Sequence, residues 1–430
     1  MREPAPAREP GRQSASLTVA VLTAMCLLNF IDRYAHSAVK DLFKAELGLS
    51  DEQTGLVFSA FILVYTIACP VFGSLAERGN RPRLIAFGVA IWSLATAGAA
   101  LADSFVTLVL ARALVGVGEA AFITISPSMI ADLFPPERRN RALTVLNAAM
   151  PAGVAIGFTL AGLFGQWWGW RAAFVIVGLP GLVLALVALA LHDPPRGRFD
   201  APGAAAKPPP PWGTALRGLA ANARYLYVVG GYIAITAALG GIGDWFPTFL
   251  SRERGFEMGA AGTVAGLSIV VGGILGTVLG SVLADVVAKR HPQGYLIVCG
   301  LSCIPGLLLA AFAVFVARGP LAIAVAVTLA QVFLWMHSAP VNALIVNSVD
   351  PGVRARAFGL ALMLTHVLGD VPSPPLIGLV ASATGSVALG IGLALATVGV
   401  AAVVWLIGSA ALGRAPAPAD APTPARPSPS

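Results

Sequence analysis

The chain has 430 residues, of which 57% are hydrophobic and only 11% are charged, and its mean hydropathy is +0.80. Soluble domains carry about 25% charged residues, so this composition excludes a chain of soluble domains, because too few polar side chains are present to cover a water-facing surface. The net charge of +7 would indicate a nucleic-acid partner only in a soluble protein, and here we expect none. The sequence predicts an integral membrane protein that crosses the bilayer many times.

Twelve apolar runs are long enough to cross a bilayer, which takes about 20 residues per helix. Backbone groups find no water in lipid, so each run is expected to form a helix that bonds its own backbone. The predicted fold class is therefore an all-α membrane protein with twelve transmembrane helices. The runs lie near residues 17–38, 54–76, 84–102, 105–131, 141–165, 171–191, 225–249, 260–284, 295–317, 320–346, 356–380 and 385–411.

A Pro-rich, basic linker at residues 192–220 separates six runs from six. It divides the chain into two six-helix bundles, 17–191 and 221–412, and the Pro- and Ala-rich tails at 1–16 and 413–430 are expected to be disordered. The stretch "PERRNRA" after the fourth run matches "PGVRARA" after the tenth at an offset of 215 residues. This internal match predicts two parallel six-helix repeats.

Lys and Arg residues are distributed unevenly between the two sides of the membrane. If the N-terminus is cytoplasmic and the loops alternate, 20 of these residues lie on the inner side and six on the outer side. This asymmetry fits the positive-inside rule with both termini in the cytoplasm. The Ala-, Gly-, Pro- and Arg-rich tails indicate a high-GC bacterial source, and so the bacterial inner membrane, with membrane lipids as the surrounding partner.

Four charged residues of the first half lie inside the runs, where a charge at the bilayer centre costs about 2.5–3.5 kcal/mol. They are Asp32, Arg33, Arg112 and Glu119. Asp32 lies about six residues and Arg112 about seven from the outer ends of their runs, so the two are expected at similar depth. Glu119 follows Arg112 by seven residues, which places it about 10 Å deeper on the same helix face.

These charges allow a static and a functional interpretation. In the static one, Arg112 neutralises an acid and holds two helices together. In the functional one, Asp32 and Glu119 compete for Arg112. Burial favours the neutral carboxyl group, whereas a nearby arginine favours the charged one. A conformational change that alters which effect is larger therefore loads or releases a proton.

Further features favour the functional interpretation. The planar donor fork of Arg112 suits a phosphate headgroup. The corresponding positions of the second half, at Val327 and Leu334, carry no charge, whereas a scaffold pair would be expected in both halves. Arg33 points about 100° away from Asp32 along the helix, and we place it with Arg112 as a headgroup or counter-ion residue whose partner lies elsewhere.

The second half offers secondary cavity candidates. His366 and Asp370 are four residues apart and share a helix face, where they form either an interhelical hydrogen bond or a proton relay. His337 and Asn342 are further candidates. Asp244, near the outer end of the seventh run, is either an outer gate contact or an exposed residue.

Two sets of motifs resemble known transporters. The stretch "GSLAERGNRPR" at residues 73–83 resembles the signature loop of the major facilitator superfamily, with Glu77 in place of the usual Asp. The stretches "NFIDRY" at 29–34 and "ARALVGVGEAAFITISPSMIADLFPPERRNRA" at 111–142 resemble the spinster subfamily, whose members are associated with export of lysophospholipids and sphingosine phosphates. The resemblance implies alternating access between two halves, and it assigns the four buried charges to coupling and substrate recognition.

The signature loop has two interpretations of its own. As a topology anchor, it needs only positive charges. As a cytoplasmic gate, Glu77 lies against the N-terminal end of a neighbouring helix, the eleventh by family resemblance, and favours the outward-open state by charge and helix dipole. Arg78 and Arg81 then pair with Asp132 at the end of the fourth run, and we favour this second interpretation.

Together these features predict a proton-coupled secondary transporter of a lysophospholipid or sphingolipid-like amphiphile, with Asp32 and Glu119 as proton acceptors. The alternative is proton-driven efflux of drugs or small organic anions. A transporter-like sensor without flux and an intramembrane lipid enzyme are further alternatives, although the sequence shows no metalloprotease or serine-nucleophile motif. We expect no cofactor, no metal and a monomer.

Overall fold

The structure is a computed structural model that describes residues 15–199, 211–350 and 353–413. Within these ranges the chain is almost entirely helical and contains no strand. The predicted tails fall almost wholly outside the described residues, and so does the middle of the predicted linker, 200–210.

The helices of the first half begin at local capping signals. Ser50 and Ser104 each accept a backbone N–H of the helix that follows, and Asn80 does the same one residue before a helix that carries Pro82 in its first turn. The helices are α1 (Ala15–Ala38), α2 (Lys40–Leu47), α3 (Asp51–Arg78), α4 (Arg81–Ala99), α5 (Phe105–Leu133), α6 (Pro136–Gly178) and α7 (Pro180–Leu189).

The second half follows a short helix on the linker. Asn222 caps its first long helix, and Gly255 and Gly385 end helices in the left-handed conformation that glycine adopts without strain. The helices are α8 (Trp212–Ala221), α9 (Ala223–Arg254), α10 (Met258–Ala288), α11 (Gly294–Ala311), α12 (Pro320–Trp335), α13 (Ser338–Asn347), α14 (Arg354–Thr365), α15 (Ser373–Thr384) and α16 (Val387–Gly413), with π-helical turns at Phe312–Val316 and His366–Asp370.

The number of membrane crossings depends on one glycine. Eleven helical segments of the described chain are long and apolar enough to span a bilayer, and one of them, Arg141–Leu189, has 49 residues. Inside it Gly169 adopts φ 82° and ψ 166°, so the helix breaks there. The 49-residue segment therefore contains two crossings, and the predicted twelve-helix fold is confirmed.

Each half has its own buried apolar core. Phe61, Phe122 and Phe174 lie in the core of the first half, and Trp245 and Trp405 in that of the second. Large apolar side chains also point outward, with Leu101 85% and Leu321 78% exposed. Exposed apolar surface of this extent suits lipid and not water.

The two halves meet along the segments that the predicted topology places on the outer side. A Cβ on Gly262 of α10 would lie 2.3 Å from the carbonyl oxygen of Phe158 on α6, and one on Gly378 of α15 would lie 2.3 Å from that of Asp51 on α3. Only glycine permits such backbone approaches. We call this the outer-closed arrangement.

Replacing Gly262 with alanine tests the packing of this interface. Because its Cβ would overlap the Phe158 carbonyl oxygen, Gly262→Ala should destabilise the outer-closed arrangement by about 1–3 kcal/mol, the usual effect of overpacking. Thermal unfolding and spin-label distances across the outer side measure the effect. The control is Gly399→Ala, whose Cβ would meet Leu307 Cδ2 at an ordinary 3.8 Å. Equal effects of both substitutions would contradict the prediction.

Candidate functional site

Asp32 lies on α1 in the interior of the first half and is 1% exposed. The Thr96 hydroxyl of α4 lies 2.6 Å from both carboxylate oxygens, so its single proton is shared between them. Arg112 Nη1 of α5 lies 3.5 Å from Asp32 Oδ1 and forms an ion pair with it. Three helices thus contribute to the environment of this carboxylate.

Glu119 pairs with the other arginine. Arg33 Nε and Nη2 donate to Glu119 Oε2 at 2.9 and 2.7 Å, whereas the sequence predicted that Glu119 and Asp32 would compete for Arg112. The difference follows from the helix geometry. Successive residues on α1 point about 100° apart, so Arg33 approaches α5 from a different side of α1 than Asp32 does. Its long side chain spans the depth that separates Glu119 from Asp32.

Aromatic rings surround both guanidinium groups. The Arg33 guanidinium carbon lies 4.8 Å from the ring centres of Phe30 and Tyr65 and 5.2 Å from that of Phe61. The Arg112 guanidinium carbon lies 5.1 Å from the same Phe61 ring. At these distances the ring faces attract a cation, which stabilises two arginines that have little water around them.

Several polar atoms of this cluster keep unused hydrogen-bonding capacity. Arg112 Nε and Nη1, Glu119 Oε1 and both amide atoms of Asn29 are buried and make no hydrogen bond to another described residue. Buried polar groups without a partner are uncommon and call for an explanation. We call Asp32, Arg33, Arg112 and Glu119, together with Thr96 and the buried Asn29, the charged cluster.

A second buried network lies at the outer ends of α1 and α9. Asp244 is 1% exposed; its Oδ1 accepts from the Ser37 hydroxyl at 2.7 Å and lies 3.1 Å from His36 Nε2. Its Oδ2 pairs with Lys40 Nζ. Asp244 is therefore an outer contact between the halves and not an exposed residue.

The sequence predictions missed several members of these networks. Lys40, one of the six Lys and Arg residues assigned to the outer side, was not selected as a site residue and is completely buried. Asn29 and His36 were not selected, although they lie three residues before and four after Asp32 on the same helix face. That spacing was the available signal, whereas nothing in the local sequence marks Thr96.

The secondary candidates of the second half lie in different places. His366 Nδ1 and Asp370 Oδ2 are 2.6 Å apart on their π-helical turn, and the His366 ring meets the edge of Tyr65 from the first half. His337 is buried between the rings of Trp335 and Trp405, with Nδ1 2.6 Å from the Leu334 carbonyl oxygen. Asn342 is exposed. Of the four, the His366–Asp370 pair faces the first half.

Arg81 is one of the residues that hold the signature loop in place. Arg81 pairs with Asp132 at 2.5 Å and with Asp193 at 2.7 Å, and it is only 2% exposed. Glu77 and Arg78, in contrast, are exposed. The loop is thus held by Arg81, whereas its acidic residue Glu77 is exposed.

Comparison with known proteins gives consistent results. Residues 22–374 match the family model of the Major Facilitator Superfamily. The chain is 32% identical over 391 residues to Protein spinster homolog 1 of Rattus norvegicus, covering 86% of this chain and 73% of that protein. It is 31% identical over 395 residues to Protein spinster homolog 3 of Mus musculus, covering 86% and 76%.

Solved structures share the fold. A bacterial homologue of the human lysosomal transporter spinster, in an inward-facing and unoccupied conformation, superposes with a TM-score of 0.79 at 23% identity and covers 94% of this chain and 96% of that one. A nucleoside transporter superposes with a TM-score of 0.70 at 17% identity over 91% of this chain and 99% of its own.

Thr96→Val tests the support of Asp32. The substitution keeps the side-chain shape and removes the hydroxyl that donates to the carboxylate, so the free energy of unfolding should fall by about 1–3 kcal/mol. Thermal unfolding of the purified protein measures the change. Thr397→Val is the matched control, because the Thr397 hydroxyl donates at 2.7 Å to Ala394 O of its own helix. If both variants melt alike, Asp32 does not depend on Thr96.

Proposed function

Because the chain belongs to the major facilitator superfamily, as a transporter related to spinster, we propose that it is a proton-coupled secondary transporter of a lysophospholipid or sphingolipid-like amphiphile. It is an integral multi-pass membrane protein and not an enzyme. In the proposal it is a monomer of the bacterial inner membrane with both termini in the cytoplasm. Asp32 and Glu119 accept the proton, and Arg33 and Arg112 serve as headgroup and counter-ion residues.

The observation that supports this proposal most is the charge balance of the cluster. Two buried carboxylates are paired with two buried arginines, so the cluster is neutral when all four are ionised. Protonation of either acid leaves one arginine without its counter-charge in a poorly solvated site, which is unfavourable. An anionic headgroup restores neutrality, so the proton and the headgroup favour each other's binding.

The two arginines have different exposure and, we propose, different roles. The Arg33 side chain is 11% exposed, whereas that of Arg112 is completely buried. Arg33 therefore meets the headgroup first, and Arg112 is the internal counter-ion of Asp32. The rings of Phe30, Phe61 and Tyr65 around Arg33 offer apolar surface next to the charge, as an amphiphile requires.

Other polar side chains complete the proposed cavity. His366 of the second half approaches the same Tyr65 and is bonded to Asp370. This makes the two residues the second-half candidates for contact with the headgroup or for a proton relay. His337 and Asn342 are weaker candidates, since their surroundings do not join them to the charged cluster. Proton-driven efflux of drugs or small organic anions remains the alternative function, because a guanidinium among aromatic rings suits those ligands as well.

Gradient-driven flux in proteoliposomes tests the function. An imposed pH gradient should drive uptake of a labelled lysophospholipid by the full chain, and Asp32→Asn or Glu119→Gln should reduce uptake to that without the gradient, because neither variant can exchange a proton at that site. Glu52→Gln, an exposed acid at the start of α3, is the control and should transport normally.

Two results would contradict this proposal. Full gradient-driven flux in both acid variants would show that neither acid couples to protons. Flux of a small organic anion that a lysophospholipid does not compete with would favour the alternative substrate class.

We also propose that the signature loop forms the cytoplasmic gate when the cavity faces outward. Glu77 then lies at the N-terminal end of α14, with Arg78, Arg81 and Asp132 fixing the loop. Its exposure in the outer-closed arrangement agrees with a contact that forms only in the other state.

Glu77→Ala tests this gate. An acidic residue at a helix N-terminus stabilises the contact by about 0.3–1 kcal/mol. Without it, the outward-open population should fall about two- to fivefold. State-specific labelling of an introduced cysteine on the inner side measures the population. Glu77→Asp keeps the charge and should behave as the parent does, while an unchanged population in Glu77→Ala would disprove the gate.

A further inference from the structure

The buried network around Asp244 joins the two halves of the protein. Ser37 and Lys40 of the first half both bond Asp244 of the second, and Lys40 Nζ also donates to the Asp244 backbone oxygen at 3.2 Å. The Lys40 ammonium lies 4.0 Å from the centre of the Trp245 ring. Because these side chains are buried in the outer-closed arrangement, the halves cannot separate on this side without breaking the bonds. We call Ser37, Lys40 and Asp244 the outer lock.

His36 lies between the outer lock and the charged cluster. Its Nε2 is 3.1 Å from Asp244 Oδ1, and its Nδ1 is 3.4 Å from Arg112 Nη2 and 3.0 Å from the Arg33 backbone oxygen. Its ring is completely buried and is stacked on Phe58 of α3 at 5.2 Å and 13°. One imidazole thus has a nitrogen facing each network.

The charged groups around this ring come from three helices. Arg112 on α5 faces Nδ1, Asp244 on α9 faces Nε2, and Lys40, the first residue of α2, lies beyond Asp244. The Ser37 hydroxyl lies 3.2 Å from Nε2 and donates to the carboxylate. Among the described residues, no other forms an ion pair or a hydrogen bond with the ring.

The surroundings select one arrangement of the ring proton. A neutral imidazole donates through one nitrogen and accepts through the other. With the proton on Nε2, the ring donates to Asp244 and accepts from Arg112, and Arg112 Nη2 also donates to the Arg33 carbonyl oxygen that lies beside Nδ1. With the proton on Nδ1, it donates to the Arg33 carbonyl oxygen, and the Nε2 lone pair faces the Asp244 carboxylate, which is repulsive. Arg112 therefore favours the form of His36 that bonds Asp244.

We propose that His36 is a positioning residue that couples the charged cluster to the outer lock, so that the charge of the cluster sets the stability of the outer-closed arrangement. This inference rests on the proposed function only in that the cluster changes its charge during transport. When Asp32 is neutral, the carboxyl group 3.5 Å from Arg112 no longer attracts the guanidinium group. Arg112 then donates to His36 Nδ1, and this strengthens the hydrogen bond from His36 Nε2 to Asp244. When Asp32 is ionised, it attracts Arg112 away from Nδ1, and the outer lock loosens.

The experiment measures the state of the outer side without substrate or a proton gradient. Spin labels at Leu101→Cys and Ala383→Cys, two exposed positions in different halves, report the outer-open and outer-closed populations in nanodiscs by distance measurement. The four native cysteines are replaced by alanine. Asp32→Asn imitates the protonated acid, and it should raise the closed-to-open ratio about tenfold, as one hydrogen bond to a charged group would.

The same Asp32→Asn substitution is then made together with His36→Phe, which keeps the ring stacked on Phe58 and removes both nitrogens. The coupling predicts that the tenfold shift falls below twofold. His36→Gln, which keeps a polar side chain without two opposed ring nitrogens, is the second variant and decides the result if His36→Phe does not fold. His337→Phe is the matched control, since that buried histidine packs against Trp335 and Trp405 and should leave the shift at tenfold.

Two outcomes overturn the inference. One is a shift of full size in the His36 variants, and the other is the absence of a shift when Asp32→Asn is made alone. Neither outcome depends on flux. If the parent protein shows proton-driven uptake and the His36 variants keep the full shift, the coupling is overturned and the proposed function stands. If the His36 variants lose the shift and the parent protein shows no gradient-driven flux, the coupling stands and the proposed function is overturned.

Discussion

The interaction on which the rest of the structure depends is the pairing of each buried carboxylate with its own arginine in the first half. A single charge in a lipid-surrounded core is strongly disfavoured, and two opposite charges are tolerated only when they lie close together. Three helices, α1, α4 and α5, must therefore approach closely. Gly118 permits this, since a Cβ there would lie 2.4 Å from the Gly88 carbonyl oxygen. The stretch "ARALVGVGEA" thus combines the charges and the small residues that let neighbouring helices reach them.

The charged cluster and the inter-half contacts are adjacent through α1. Asp32 and Arg33 lie in the cluster, whereas His36 and Ser37, about one turn further along α1, reach Asp244 of the second half, as does Lys40 at the start of α2. In a protein that moves its halves relative to each other, a helix that belongs to both networks is placed to connect chemistry with movement. The second half carries no matching pair of charges at Val327 and Leu334, so this connection is asymmetric.

Much of the fold followed from the sequence because membrane crossing imposes simple constraints. Apolar length set the number of helices, and Gly169, with its positive φ, separates two crossings that form one continuous helical segment. Residue counting also predicted that Asp32 and Arg112 lie at the same depth and that Glu119 lies one heptad deeper. The partner of Glu119 did not follow from it, because the reach of Arg33 depends on how α1 is rotated against α5. The burial of Lys40 did not either, because its partner lies 204 residues away.

The sequence by itself determined the class of protein, its twelve helices in two halves and the four charges inside the apolar runs of the first half, since these follow from hydropathy, periodicity and internal repeats along the chain. Only the tertiary structure decided which arginine holds which acid, that Thr96 supports Asp32 and that His36 stands between Arg112 and Asp244. The physical reason is distance. Hydrophobicity acts on a helix as a whole and can be read locally, whereas a buried ion pair or hydrogen bond depends on placement to within about 0.5 Å between atoms of different helices.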